Sequence, residues 1–332
     1  MRIIATLAVV FLHTNNTLSN NSAQFSLTEK QMLFFTTNNH LMNWAVPVFL
    51  MITGALLLYP DRNITYTICI KKYIKRIFLA LVVFGIPFSL MEILLNTGNL
   101  NLKSVWDAFV SVLCGNSWSH LWYLYSLIGL YMMLPILKTF MDNSDDDTQR
   151  YVLVVVFFFC FVIKWINKFC GVTVAFEIPI SGFTVFYALT GRYITKIKPH
   201  FLIKKRICAG VLALEIVTIV ISSKGLYPEI KEFMGYDSPL IAIFAITIFM
   251  LFSGFTSRLE SVLWEIDRLC FGVYLIHPVF INFVYKFLKV TPVEFDSAYP
   301  MVTIVFWIFF VVSSFVTAWG MYQIPILKKY IL

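Results

Sequence analysis

The sequence predicts an all-α polytopic integral membrane protein of about ten transmembrane helices, and three observations lead there. Only 13% of the 332 residues are charged and 59% are hydrophobic, whereas soluble domains are nearer a quarter charged. The apolar residues gather into ten runs long enough, or nearly so, to cross a bilayer core: roughly 3–18, 41–60, 74–95, 120–140, 150–168, 178–195, 203–222, 238–257, 269–288 and 299–323. Placing the N-terminus in the cytoplasm then puts 18 of the 26 basic residues on the inner side, a bias above two to one that matches the positive-inside rule. The inner clusters are Arg62 with Lys71, Lys72, Lys75 and Arg76; Lys138 with Arg150; Arg192 with Lys196, Lys198, Lys204, Lys205 and Arg206; Arg258 with Arg268; and Lys328 with Lys329, besides Arg2. A miscount by one helix would throw the later clusters to the wrong face, so both termini are expected in the cytoplasm.

In chain order, run 3–18 lacks a small-residue cleavage site and reads as a retained span rather than a signal peptide. Segments 19–40, 96–119, 169–177, 223–237 and 289–298 read as outer loops, too short for a separate domain. Residues 103–114 read as a partial or interfacial helix. Run 178–195 is the shortest and most polar of the ten. The acidic stretch 142–147 (DNSDDD) reads as a solvated inner turn. The chain, 1–332, is therefore expected to be a single transmembrane domain. Membrane lipids are its expected surroundings, and the net charge of +8 needs no nucleic-acid partner to explain it. Six cysteines lie scattered with no C-x-x-C spacing, which indicates neither a metal site nor a disulfide scaffold.

Ionisable residues inside such runs are expensive in lipid and normally face a bundle interior or a water-filled cavity. Arg2 and His13 stand eleven positions apart, which returns to within about 20° of the same helix face and separates them by about 16 Å along the axis. His13 is a candidate general base, since neutral imidazole takes a proton near physiological pH; a buried, hydrogen-bonded histidine is the structural alternative. Arg2 is either an anion clamp or an inner-leaflet arginine of the ordinary kind. Lys71-Lys72-Tyr73-Ile74-Lys75-Arg76 reads first as a lipid-contacting stop signal and second as a dock for a polyphosphate such as the nucleotide end of coenzyme A, with Lys204-Lys205-Arg206 equally ambiguous. His120, Trp122 and Tyr125 sit at an outer boundary, where they form an interfacial aromatic belt or a stacking floor for a sugar ring. His277 precedes Pro278 at mid-membrane, where the proline frees a carbonyl that needs a partner or a cavity. Glu215 lies deeper than Glu92 and reads as a partner for an intramembrane cation or as a proton carrier.

Taken together, these motifs resemble the membrane acyltransferase-3 family of bacterial O-acyltransferases. Arg2 and His13 match its arginine-x10-histidine signature. Val46-Pro47-Val48-Phe49-Leu50-Met51-Ile52-Thr53-Gly54 resembles its second-helix motif, and His120-Leu121-Trp122-Tyr123-Leu124 and Tyr274-Leu275-Ile276-His277-Pro278 resemble its fourth-helix and late-helix motifs. The four occur in collinear order from Arg2 to Pro278. Many members carry arginine-x-x-arginine before helix 3; here that register holds Tyr73 and Arg76, so an anion role falls on Lys72, Lys75 and Arg76.

The resemblance implies transfer of an acyl group, most simply acetyl, from cytoplasmic acetyl-CoA to a hydroxyl of an extracytoplasmic glycan or lipid-linked sugar. The setting it implies is a bacterial inner membrane. His13 and Arg2 would be catalytic; Lys72, Lys75 and Arg76 would hold the coenzyme; His120, Trp122, Tyr125, Glu215 and His277 would meet the acceptor. Acyl-CoA enters this scheme as a co-substrate, with no resident cofactor or metal. Two rival readings predict different behaviour: a proton-coupled transporter using His13, Glu215 and His277 as a relay, and a non-catalytic membrane scaffold.

Overall fold

In hydrocarbon the backbone has no water to bond, so a spanning segment must satisfy its own N–H and C=O groups, and a helix does so without a partner. The computed structural model describes residues 1–171, 182–197, 201–223, 234–253 and 260–332. It is 84% helical, with no strand among the described residues. In chain order the helices are α1 (Arg2–Asn20), α2 (Glu29–Met42), α3 (Ala45–Leu57), the single turn α4 (Tyr66–Ile68), α5 (Lys75–Thr97), α6 (Leu102–Leu113), α7 (Trp122–Asn143) and α8 (Asp146–Phe157). They continue with α9 (Ile163–Cys170), α10 (Phe183–Ile197), α11 (Phe201–Ser223), α12 (Pro239–Phe252), α13 (Glu260–Asp267), α14 (Cys270–Asn282), α15 (Tyr299–Gln323) and α16 (Pro325–Tyr330). Widened π-helical turns at Cys69–Ile74, Phe158–Val162 and Phe283–Phe287 join α4 to α5, join α8 to α9 and extend α14.

Each of the ten apolar runs coincides with helix where it is described. Six stretches are long and apolar enough to cross a membrane: Glu29–Leu57, Tyr66–Leu95, Ser119–Asn143, Asp146–Lys168, Cys270–Phe287 and Asp296–Gln323. Cys208–Ser222 and Pro239–Phe252 are shorter apolar helices. Residues 172–177 and 224–233 of the expected outer loops, the first residues of run 178–195, the end of run 238–257, Lys198 and Arg258 lie outside the described residues.

One segment differs from the sequence expectation. Residues 19–40 are not simply a loop, because α2 occupies Glu29–Met42. The Thr28 side chain accepts from the Gln31 backbone N–H at 3.3 Å, and the Gln31 side chain accepts from the Thr28 N–H at 3.0 Å, a reciprocal capping box. Inside 96–119, α6 falls where a partial helix over 103–114 is expected, and it begins with the same device at Asn101 and Ser104. The acidic stretch 142–147 joins the end of α7 to the start of α8 as an exposed turn, as expected: Asp145 accepts from the Thr148 N–H at 2.8 Å, and its bonds to the Thr148 side chain and N–H hold its carboxyl below the usual value. Asp146 pairs with Lys196 at 2.6 Å. Carboxylates at that end also complement the helix dipole.

The chain divides into two compact units, one made of Met1–Tyr59 and Asn143–Ala318 and the other of Pro60–Asp142 and Trp319–Leu332. In the first, α1, α2, α14 with its π-helical extension, and α15 close around Val10, Leu18, Phe35, Val273, Ile281, Tyr285 and Phe310. Its tightest contact is between α3 and α10. A Cβ built on Gly54 would lie 1.8 Å from the Ala188 carbonyl oxygen, and one on Gly191 would lie 2.0 Å from that of Met51. Since 51 meets 191 and 54 meets 188, the two helices run antiparallel with backbone against backbone, as small residues permit in membrane bundles.

In the second unit, α5 lies against α6, with Gly85 facing Val112. The Ser89 and Ser117 hydroxyls are 3.0 Å apart, and Ser117 donates to the Gly85 carbonyl at 3.0 Å. Lys138 bonds Asp142 and the Pro60 carbonyl, the latter at 3.2 Å.

The α3–α10 contact yields a direct test. Gly54→Ala must push two backbones apart and should cost about 3 kcal/mol, the upper range of overpacking, read as a lowered melting temperature in detergent. Gly129→Ala, where a Cβ meets nothing within 4 Å, should leave melting unchanged or slightly raised.

Candidate functional site

α1 carries many polar residues for a helix packed this deeply, and most of them bond back onto their own helix. Thr6, Thr14 and Thr17 donate to the carbonyls of Arg2, Val10 and His13 at 3.0, 2.8 and 2.9 Å, and the Asn15 amide donates to Phe11 at 2.7 Å. What remains is shared with α2: Asn38 donates to Asn15 at 3.1 Å and Asn39 to Asn16 at 3.2 Å. Trp307 of α15 donates its indole N–H to the Leu7 carbonyl at 3.2 Å.

Arg2 and His13 both face the α13–α14 segment, as their spacing requires. The Arg2 guanidinium is paired with Asp267 at the end of α13, each side chain about one-third exposed at 33% and 32%. The His13 ring lies 5.0 Å, centroid to centroid, from the ring of His277, tilted by 48°. Arg2 meets 267 and His13 meets 277, so α1 and the α13–α14 segment run parallel. His13 is half-buried, while His277 behind it is 0% exposed.

The His277 Nδ1 lies 3.0 Å from the Val273 carbonyl. A carbonyl only accepts, so Nδ1 carries the hydrogen, and in the neutral ring the lone pair belongs to Nε2. Tyr274 flanks the same imidazole at 6.2 Å.

The other candidates lie elsewhere. Glu215 on α11 is 4% exposed, and neither carboxylate oxygen has a hydrogen-bond partner among the described residues. Its helix packs against α2 and α12. The remaining six belong to the second unit. Lys72 and Lys75 are exposed, Lys72 lying 5.7 Å from the Tyr73 ring centroid, and Arg76 donates from Nε to the Ile331 carbonyl at 2.6 Å. His120 is 4% exposed beside Phe88 and Trp118, whose rings stack at 4.4 Å. Trp122 and Tyr125 are half-buried, with the Tyr125 hydroxyl donated to the Val112 carbonyl. No group of three or more His, Cys, Asp or Glu side chains able to hold a metal occurs among the described residues.

Sequence reasoning missed Asp267 and the Val273 carbonyl. Asp267 stands ten positions before His277 much as Arg2 stands eleven before His13, and that echo is the one local signal that could have drawn attention to it.

Arg2 and Asp267 allow a double-mutant cycle. With both side chains partly solvated, Arg2→Ala and Asp267→Ala should show a coupling of about 1 kcal/mol or less, measured by melting of the single and double variants in detergent.

Compared with known families, residues 1–323 match the acyltransferase-3 family, described as an acyltransferase domain. No curated protein and no solved structure matches the chain.

Proposed function

Because the chain belongs to the acyltransferase-3 family, we propose that this multi-pass membrane acyltransferase is an O-acetyltransferase of a bacterial inner membrane. It moves acetyl from cytoplasmic acetyl-CoA to a hydroxyl of an extracytoplasmic glycan or lipid-linked sugar. The observation that carries the proposal is the half-buried His13 imidazole, set against a fully buried second imidazole on a face anchored by the Arg2–Asp267 pair.

His13 takes the proton of the attacking hydroxyl, and the hydroxyl oxygen bonds to the thioester carbonyl carbon. The C–S bond breaks, and the proton returns from the imidazolium to the leaving thiolate. Lys72 and Lys75, both exposed on the π-helical turn and the start of α5, offer ammonium groups suited to the coenzyme phosphates, with Arg76 beside them. The aromatic and polar groups at His120, Trp122 and Tyr125 are assigned to the acceptor, as is Glu215. The ten-span arrangement with both termini in the cytoplasm belongs to this proposal. The parallel course of α1 and α14 supports it, since the first and ninth spans of such a chain run the same way.

Inside-out membrane vesicles from cells producing the protein supply their own acceptor. With radiolabelled acetyl-CoA on the exposed cytoplasmic face, label should pass into the membrane fraction, and His13→Ala should lower that rate at least about a hundredfold. Undiminished transfer by a folded His13→Ala variant would falsify the assignment of His13. Solute flux driven by a proton gradient, without loss of acetyl-CoA, would replace the enzyme with a transporter.

A further inference from the structure

The acyl-transfer reading gives His13 a proton to accept and later return, but it leaves unexplained why a second imidazole is buried directly behind it. We infer that His277 is the positioning residue for His13: it fixes the orientation of the His13 ring and shares its proton, so that the two histidines act as one proton-holding unit. The inference rests on the acyl-transfer reading of His13.

Three features of the geometry carry it. The rings are 5.0 Å apart between centroids and tilted by 48°, a spacing that one N–H···N hydrogen bond between their edges can span. The Val273 carbonyl fixes the His277 tautomer at 3.0 Å, so the nitrogen able to take a proton is Nε2 and not Nδ1. The division of exposure is that of a working pair: His13 is half-buried and reachable, while His277 is closed off at 0% exposure. In this inference its effect on the reaction passes through His13.

Two adjacent imidazoles in a poorly solvated site do not both carry a charge, so a single proton belongs to the pair. In the forward step the acceptor O–H proton passes to one nitrogen of His13, and the hydrogen on its other nitrogen passes to His277 Nε2. His277 then holds the charge, with Nδ1–H still donated to the Val273 carbonyl. The same path in reverse delivers a proton to the departing thiolate, so the histidines end as they began.

The titratable and charged groups on the elements packed around the pair are few. Tyr274 and Cys270 lie on α14 itself, and Tyr285 and Lys286 on its extension. Glu265 and Asp267 lie on α13, the latter held by Arg2 of α1; Arg268 follows them, and Tyr299 lies on α15. Glu29, Lys30 and His40 lie on α2, and α3 contributes none.

His277→Asn separates positioning from mere filling, because the asparagine amide can still donate to the Val273 carbonyl but cannot accept a proton. In the vesicle assay with radiolabelled acetyl-CoA, His277→Asn should lower kcat about a hundredfold. KM for acetyl-CoA should stay within about twofold, and the acidic limb of the pH–rate profile should shift, since it reports the shared proton. Wild-type kcat and an unchanged pH profile in His277→Asn would overturn the inference while leaving the His13 assignment standing. Retained transfer by His13→Ala would instead remove the reading beneath it.

Should the Asn variant not fold, nitrogen-15 NMR of labelled imidazoles in the wild-type protein decides the matter. His13 and His277 titrating together with one proton supports the pair, and two independent titrations overturn it.

Discussion

A buried polar group must find a hydrogen-bond partner, and in this protein α1 is the helix on which that constraint bears hardest. Between Arg2 and Asn20 it carries a guanidinium, an imidazole, three threonines and three asparagines. Each demand recruits a different neighbour: Asp267 of α13 for the charge, His277 of α14 for the ring, and Asn38 and Asn39 of α2 for the amides. The first compact unit is assembled around these obligations as much as around its apolar contacts. An apolar α1 could slide or rotate against its neighbours at little cost. This one has its register fixed at the bottom by a charge pair, at mid-height by two rings and at the top by paired amides.

Much of this was legible in the sequence, because hydropathy and helical spacing are local properties. Where they are described, the ten apolar runs fall largely on helices, and the prediction that Arg2 and His13 share a face needed only the geometry of a helix. The α2 helix was legible too, in Thr28-Glu29-Lys30-Gln31, but the polar composition that follows masked its capping signature. Composition says where a segment prefers to lie; capping says whether it is ordered, and the second criterion decided here. The partners were another matter. Arg2 and Asp267 are 265 positions apart, and nothing in a single sequence says which of several acids an arginine will meet. The same holds for the two histidines, whose proximity depends on α1 and α14 running parallel.

The division of the chain into two interleaved units bears on how the candidate residues are read. Arg2, His13, Glu215 and His277 belong to one, and Lys72, Lys75, Arg76, His120, Trp122 and Tyr125 to the other. The proposed proton chemistry therefore draws on one unit, whereas the proposed coenzyme contacts draw on the other. The two sets have different physical characters as well. The histidines are buried and mutually constrained; the lysines are exposed and flexible, suited to a highly charged ligand arriving from water.

The crossing of α3 and α10 has a mechanical meaning. Where carbonyl oxygens occupy the places that Cβ atoms would take, no layer of side chains lies between the helices to repack under load. Such a joint behaves as a weld. Relative motion within the first unit must then pass through its other seams, where side chains do lie between the helices and can repack.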